Sequence, residues 1–354
     1  MRLGAGQGGG KRFKVTEQAL KFRVRVPATS GNLGPGFDAL GLAYQLYDDV
    51  EVTFAAAPTS QQSKTEVSVT GEGAGTVAKD DTHLVVQAIR QSIARAGVPQ
   101  PNIVLNCYNR IPHGRGLGSS AAAVVAGITA AQAYLYCQVR IECRAKTTGD
   151  HRHFPGVIEQ IPVDRAETLI FATEFEGHPD NAAPAIYGGA TVAWFDQVLT
   201  PKAAKLQISP DIVPTLLIPP TTLATKKARA ALPTEVPHQD AAFNAGRAAL
   251  LVAALANQPA LLYEATSDRL HQGYRAKQMP TSAALLAKLR QAGVAVVVSG
   301  AGPTLLALTT TTALPELDMI LKDIGVLKDD PQAADWRVIR PGIDAQGVVC
   351  RRLS

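Results

Sequence analysis

The densest chemistry in the sequence lies in one run, Pro112-His113-Gly114-Arg115-Gly116-Leu117-Gly118-Ser119-Ser120-Ala121-Ala122. Its alternate glycines permit positive φ and let the backbone approach a ligand closely. Ser119 opens a predicted Ala-rich helix reaching Leu135, so free N–H groups and the positive helix end face the loop. That is a ready anion site, and the small alanines leave room for a bulky polyphosphate. A serine hydroxyl there can also ligate a metal. One dipole contact contributes only ~0.3–2 kcal/mol, so several donors must act together. The same residues also read as a glycine-rich connection before a packing helix.

Four further clusters carry polar groups at useful spacing. Glu174-Phe175-Glu176-Gly177-His178-Pro179-Asp180-Asn181 places two acids, an imidazole, a third acid and an amide in one short segment. Carboxylates beside a phosphate loop suit Mg2+, which takes one or two of them plus phosphate oxygens; a solvated turn at Gly177 and Pro179 accounts for them equally. The loop from Pro27 to Gly41 carries Asn32 and Asp38, which could grip an amino or hydroxyl group. Thr225 and Arg229 are spaced i, i+4, and Arg275 follows later; a helix would put the first two on one face, and two arginines can hold a carboxylate. Ser299-Gly300-Ala301-Gly302-Pro303-Thr304 makes a tight glycine turn after an apolar strand.

Competing motifs fail. The match to G-x-G-x-x-G at Gly4, Gly6 and Gly9 has no strand before it, as a dinucleotide site requires. Cys137, Cys143, His151 and His153 are spaced too widely for an ordinary zinc site. Metalloprotease and α/β-hydrolase signatures are absent.

Alternation predicts strands at Phe22 to Val26, Asp49 to Phe54, Glu66 to Thr70, Ile103 to Cys107, Thr191 to Phe195, Pro214 to Ile218 and Val294 to Ser299. Helical spacing predicts helices at Thr82 to Ala96, Ala166 to Thr173, Ala241 to Leu255 and Ser282 to Ala292, besides the one after Ser119. This mixture is α+β or α/β. Residues 1–19 read as a disordered leader and residues 137–165 as an insertion of low periodicity. Prolines at 214, 219 and 220 suggest a boundary near residues 200–220.

The chain has 354 residues, 46% apolar and 18% charged, the balance of a folded protein. Its net charge of +5 is concentrated at one end: residues 1–25 hold seven Lys/Arg and one acid. A basic tail on a near-neutral body argues against a nucleic-acid face. The longest apolar stretch, Ala121 to Leu135, reads as too short and polar to span a bilayer. Four cysteines without an export signal predict reduced thiols in the cytoplasm.

Taken together, these segments resemble the GHMP kinases, named for galacto-, homoserine, mevalonate and phosphomevalonate kinases. The run at 112–122 looks like the family's phosphate loop, the loop at 27–41 like its first motif, and V-V-V-S-G-A-G-P-T at 296–304 like its third. E-G-H-P-D-N-A-A-P-A-I-Y-G-G, T-K-K-A-R-A-A-L-P and H-Q-G-Y-R are similar to the homoserine kinase branch in particular. The resemblance implies a two-domain α+β fold with a ferredoxin-like C-terminal domain, divided into residues 20–205 and 206–354. It implies phosphorylation of the L-homoserine hydroxyl by ATP with Mg2+, and a homodimer. By the same resemblance Asn32, Asp38, His178, Asp180, Asn181, Thr225, Arg229 and Arg275 line the substrate pocket, with Asp38, Asp180 and Asn181 nearest the chemistry. Ser119 or Ser120 would ligate the metal, with Glu176 or alternatively Glu174. The residues between the nucleotide helix and Glu176 depart from the family pattern in length and helical character.

Overall fold

The computed structural model describes residues 19–56, 63–147, 160–328 and 335–353. Most of the proposed leader, the middle of the proposed insertion, His151 and His153 lie outside the described residues.

β1 (Leu20–Ser30) alternates Leu20, Phe22, Val24 and Val26 inward with Lys21, Arg23 and Arg25 outward. It pairs antiparallel with β2 (Leu40–Ala55), where Arg25 stands opposite Asp49 and binds it at 2.9 Å. Opposite charges at facing positions support the register. β3 (Thr65–Gly71), α1 (Leu84–Arg95) and β4 (Asn102–Asn109) follow, then α2 (Ser119–Thr147), β5 (Gln160–Ile161), α3 (Arg165–Glu176), α4 (Ala182–Tyr187), β6 (Ala190–Phe195) and β7 (Pro201–Leu206). The first sheet runs β3-β4-β2-β1-β12-β5, with β6 joined to β2 and β7 to β6. Here β12 is the last strand, Val349–Leu353.

α2 is longer than its apolar periodicity implied. No glycine or proline occurs between Ala130 and Thr147, and the residues after Cys137 are mostly tolerant of helix. The first part of the expected insertion is therefore helix. Ser119–Val139 is long and apolar enough to cross a bilayer, but 72% of its most apolar window is buried in the protein. It is the central core helix of the first unit, packed on β1 and α1. At Gly127 a Cβ would strike the Val85 carbonyl and the Ala88 side chain, so glycine permits the close crossing with α1.

β8 (Ile212–Ile218), α5 (Thr225–Ala230), α6 (His238–Ala256), α7 (Leu262–Ala265), α8 (Gln272–Arg275), α9 (Pro280–Gln291), β9 (Val296–Val298), β10 (Leu305–Thr310), α10 (Leu314–Asp323) and β11 (Arg337–Ile339) form the second unit. Its antiparallel sheet has the order β11-β8-β10-β9. Strand, helices, two strands, helix and strand in that order make the ferredoxin-like arrangement. Both faces are covered. Leu216, Ile218, Val297 and Leu306 join the main core, while Leu217, Val296, Val298 and Leu305 pack with Leu289 of α9 and Leu317 of α10. The chain then returns to the first sheet: β12 pairs with β1 and β5. A division at residue 205 thus leaves out one strand of the first sheet, which the C-terminus supplies.

Candidate active site

The three glycine-rich loops lock together. Gly114, Gly116 and Gly118 have φ of 64°, 72° and 70°, in the left-handed region that favours glycine. Carbonyls of the 112–118 loop are tied to the protein behind it. Leu223 N donates to Gly114 O (2.8 Å), Ser299 Oγ to Gly116 O (2.6 Å) and Thr29 N to Leu117 O (3.1 Å). A Cβ on Gly116 would collide with the Ser299–Gly302 turn. α2 begins at Ser119, so the N–H groups of its first turn have no partners within the helix. Arg115 does not reach toward this mouth: its guanidinium donates to the carbonyls of Pro219 (3.1 Å), Pro220 (2.9 Å) and His113 (3.1 Å). Pro112, Leu117, Ala121 and Ala122 are buried and shape the loop. Burial, followed by the Arg115 charge, keeps the His113 imidazole below its usual pKa despite Glu72. An open cavity of about 660 Å³ lies just upstream, lined by Glu72, Gly73, Thr76, Asn109, Arg110 and Arg337 among others.

Ser120 Oγ donates to Glu176 Oε1 at 2.5 Å. Glu176 is the last residue of α3, stopped by Gly177 at φ 81°. Glu174, two residues earlier, lies about 200° away around the helix. It binds Arg95 of α1 at 2.6 and 3.1 Å. The structure therefore brings Glu176 to the helix mouth and commits Glu174 to the surface, and Ser120 rather than Ser119 makes the contact. Burial pushes the Glu176 carboxyl above its usual pKa, against the Ser120 hydrogen bond and the His178 charge. Among the described residues no Lys or Arg pairs with it. A half-buried carboxylate beside a hydroxyl, lacking a cation, is a donor set that fits Mg2+ completed by phosphate oxygens and water.

The remaining residues meet on the other side. Asn32 and Asp38 both have positive φ, 54° and 52°. Asn32 is buried and occupied within the protein: its Oδ1 accepts from Asp38 N (2.8 Å) and its Nδ2 donates to Gly300 O (3.3 Å). Asp38 is held by both guanidinium nitrogens of Arg229, at 2.7 and 3.1 Å. His178 Nδ1 contacts Asp180 Oδ1. Burial works against the charged imidazole, but the Asp180 hydrogen bond and charge outweigh it and raise the His178 pKa. Ligand atoms of Asp38, His178 and Asp180 lie within 4.8 Å of one another. Thr225 is exposed at the first turn of α5, one turn before Arg229.

Arg275 is 1% exposed. Its Nη1 faces His271 Nδ1 (3.1 Å) and Gly300 O (3.2 Å), and its Nε has no partner. Among the described residues no carboxylate lies within ion-pair distance. Burial, then the Arg229 charge, lowers its proton affinity. A buried cation without a counter-charge is costly; an incoming anion would relieve it. Phe37 neighbours both arginines, each guanidinium carbon 5.5 Å from its ring centroid. Phe37, Thr29 and His271 were not singled out from the sequence; the aromatic before Asp38 in the first loop was the available signal.

Comparison with known proteins identifies the family and the fold. The chain matches the family models described as GHMP kinases N terminal domain, over residues 83–189, and GHMP kinases C terminal, over residues 247–317. A homoserine kinase of Streptomyces coelicolor is 44% identical over 337 residues, covering 95% of this chain and 96% of that protein. One from Clavibacter michiganensis is 49% identical over 288 residues, covering 81% and 82%. The crystal structure of homoserine kinase from Cytophaga hutchinsonii superposes with a TM-score of 0.70 at 25% identity, covering 95% of this chain and 99% of that one. Mevalonate diphosphate decarboxylase from Enterococcus faecalis shares the fold at 13% identity, with a TM-score of 0.61 over 94% of this chain and 99% of that one.

Proposed function

The chain belongs to the GHMP kinase family, and we propose that it transfers the γ-phosphoryl group of ATP to the side-chain hydroxyl of L-homoserine, giving ADP, O-phospho-L-homoserine and a proton. The observation that carries this reading is the closeness of the phosphate loop to Asn181. A Cβ on Gly118, the last glycine of the phosphate loop, would lie 3.3 Å from Asn181 Oδ1. This supports a phosphate loop at the mouth of α2 that adjoins the proposed amino-acid pocket.

In this reading the N–H groups of residues 114–120 hold the phosphates, and the cavity beside Gly73 and Asn109 receives the nucleoside. Ser120 and Glu176 would hold Mg2+, which neutralises phosphate charge. Arg229 and Arg275 take the substrate carboxylate. Asp38, released from Arg229, takes the ammonium together with the His178–Asp180 pair, and Thr225 lines the entrance. Asn181 orients the hydroxyl. Phosphoryl transfer through a loose transition state asks mainly for positioning and charge neutralisation, so no dedicated base is required. Residues 20–205 supply the phosphate loop and residues 206–354 the arginines, and the acceptor lies between them. The homodimer implied by the resemblance is checked by analytical ultracentrifugation.

The test is ADP release with a panel of alcohols, with the product identified by 31P NMR. L-homoserine should be turned over and mevalonate and sugar alcohols should not, because neither offers an ammonium to Asp38. ATP and homoserine binding without ADP formation would leave a sensor on a kinase fold and overturn the proposal.

A further inference from the structure

Asn181 stands at the start of α4, where its side chain caps nothing, so other groups must fix the direction of its amide. Gly31 N donates to Asn181 Oδ1 at 3.0 Å, and Thr29 Oγ1 donates to the same oxygen at 3.0 Å. A backbone N–H can only donate, so the atom it meets must be the amide oxygen. Both lone pairs of that oxygen are then used. Nδ2 is turned the other way and donates to Asp180 Oδ2 at 3.4 Å, beside the His178–Asp180 pair.

Thr29 lies at the end of β1 and is completely buried. Its backbone N–H holds Leu117 O of the phosphate loop at 3.1 Å, while its hydroxyl holds the amide. The next loop residue, Gly118, closes against the same hydroxyl, where a Cβ would overlap Thr29 Oγ1. One residue thereby fixes the distance between the loop that holds the donor phosphate and the amide that faces the acceptor.

We propose that Thr29 is the positioning residue that sets phosphoryl donor and acceptor in register, through its backbone bond to Leu117 and its hydroxyl bond to Asn181. The proposal rests on the homoserine kinase reading above. Thr29 is placed to touch neither substrate; it acts through Asn181 and the loop. In-line transfer needs reacting atoms about 3–3.5 Å apart, and a 1 Å error can cost on the order of 100-fold. Removing the hydroxyl leaves the amide oxygen with only the Gly31 bond and frees the amide to swing.

The experiment compares Thr29→Val, which keeps the shape and loses the hydroxyl, with Thr29→Ser, which keeps the hydroxyl. Thr29→Ala serves as a second hydroxyl-free variant, and thermal melts are recorded for each. In the hydroxyl-free variants kcat should fall about tenfold or more, with KM for homoserine changed by less than about threefold. ADP released per phosphohomoserine formed should rise above one as water competes with a misplaced acceptor. Thr29→Ser should keep kcat within about threefold of the parent and a ratio of one. A hydroxyl-free variant with kcat within about twofold of the parent, or a Ser variant as impaired as Val, overturns the proposal. If neither Val nor Ala variant folds, the role is structural and the proposal falls. Absence of phosphohomoserine from the unmodified protein is a separate outcome, one that removes the functional reading instead.

Discussion

Arg229→Ala is the substitution that probes the substrate assignment most directly. In the empty site Arg229 gives both nitrogens to Asp38, and the two side chains are 39% and 34% exposed. Binding a zwitterion exchanges this internal pair for two external ones, carboxylate on arginine and ammonium on aspartate. A hydrogen bond to a charged group contributes ~1.5–3 kcal/mol, but at this exposure solvent screening removes a good part of it. Arg275 also remains to hold the carboxylate. A net loss of about 1–2 kcal/mol in kcat/KM follows, or roughly 5–30-fold. It should appear mainly in KM, because the carboxylate carries the same charge before and during transfer. Initial ADP-release rates at saturating ATP measure this, with L-homoserine and with 3-amino-1-propanol, the same acceptor without its carboxylate. The amino alcohol should be a poor substrate for the parent and insensitive to Arg229→Ala. An unchanged KM for homoserine, or an equal fall for both acceptors, would refute the carboxylate assignment.

Three further outcomes are expected. Glu176→Gln should raise the Mg2+ needed for half-maximal rate by about tenfold or more. In the parent, activity should fall as pH drops through a value above the ordinary carboxylate range, and extra Mg2+ should restore it, because the raised Glu176 pKa makes protons compete with the metal. Gly116→Ala should abolish activity and lower Tm, since the new methyl meets the Ser299–Gly302 turn and the position has φ 72°; a soluble variant with parental kinetics contradicts the interlocked loops. Burial pushes the Asp48 carboxyl up to about 6, against hydrogen bonds from Ile111 N and Arg110 N. The folded state then holds its proton more tightly than the unfolded one. Stability is lost as pH climbs from about 4 through 6, by about 3 kcal/mol at most. Asp48→Asn can accept both N–H bonds without that loss, so its Tm above pH 7 should exceed the parent's by a few degrees; a lower Tm removes the argument.

The two units were unequally legible. β1, β4, β6, α1 and α9 follow from alternation or helical spacing because each buries one face, and their observed ends differ from the expected ones by only a few residues. β10 and α10 passed unnoticed. β10 is buried on both faces, so its apolar run has no period of two to read. β12 was missed for a different reason: Val349-Cys350-Arg351-Arg352-Leu353 becomes a strand by pairing with β1, at the far end of the sequence. α2 was cut short because apolar spacing reports a buried face, whereas the helix continues as long as nothing breaks it.

The sequence by itself determined the chemistry available: an anion-binding loop before a helix, clustered acids with an imidazole and an amide, and two arginines. Residue type and short spacing settle these, because backbone freedom at glycine and free N–H groups at a helix start are local properties. Tertiary structure decided which groups face one another. It selected Glu176 over Glu174 through half a turn of α3, turned Arg115 away to carbonyls, and set Asn32 to hold its own loop. It also placed Thr29 against Asn181, 152 positions apart. Such pairings depend on where distant strands and helices dock, which the packing of the whole core fixes and no local pattern encodes.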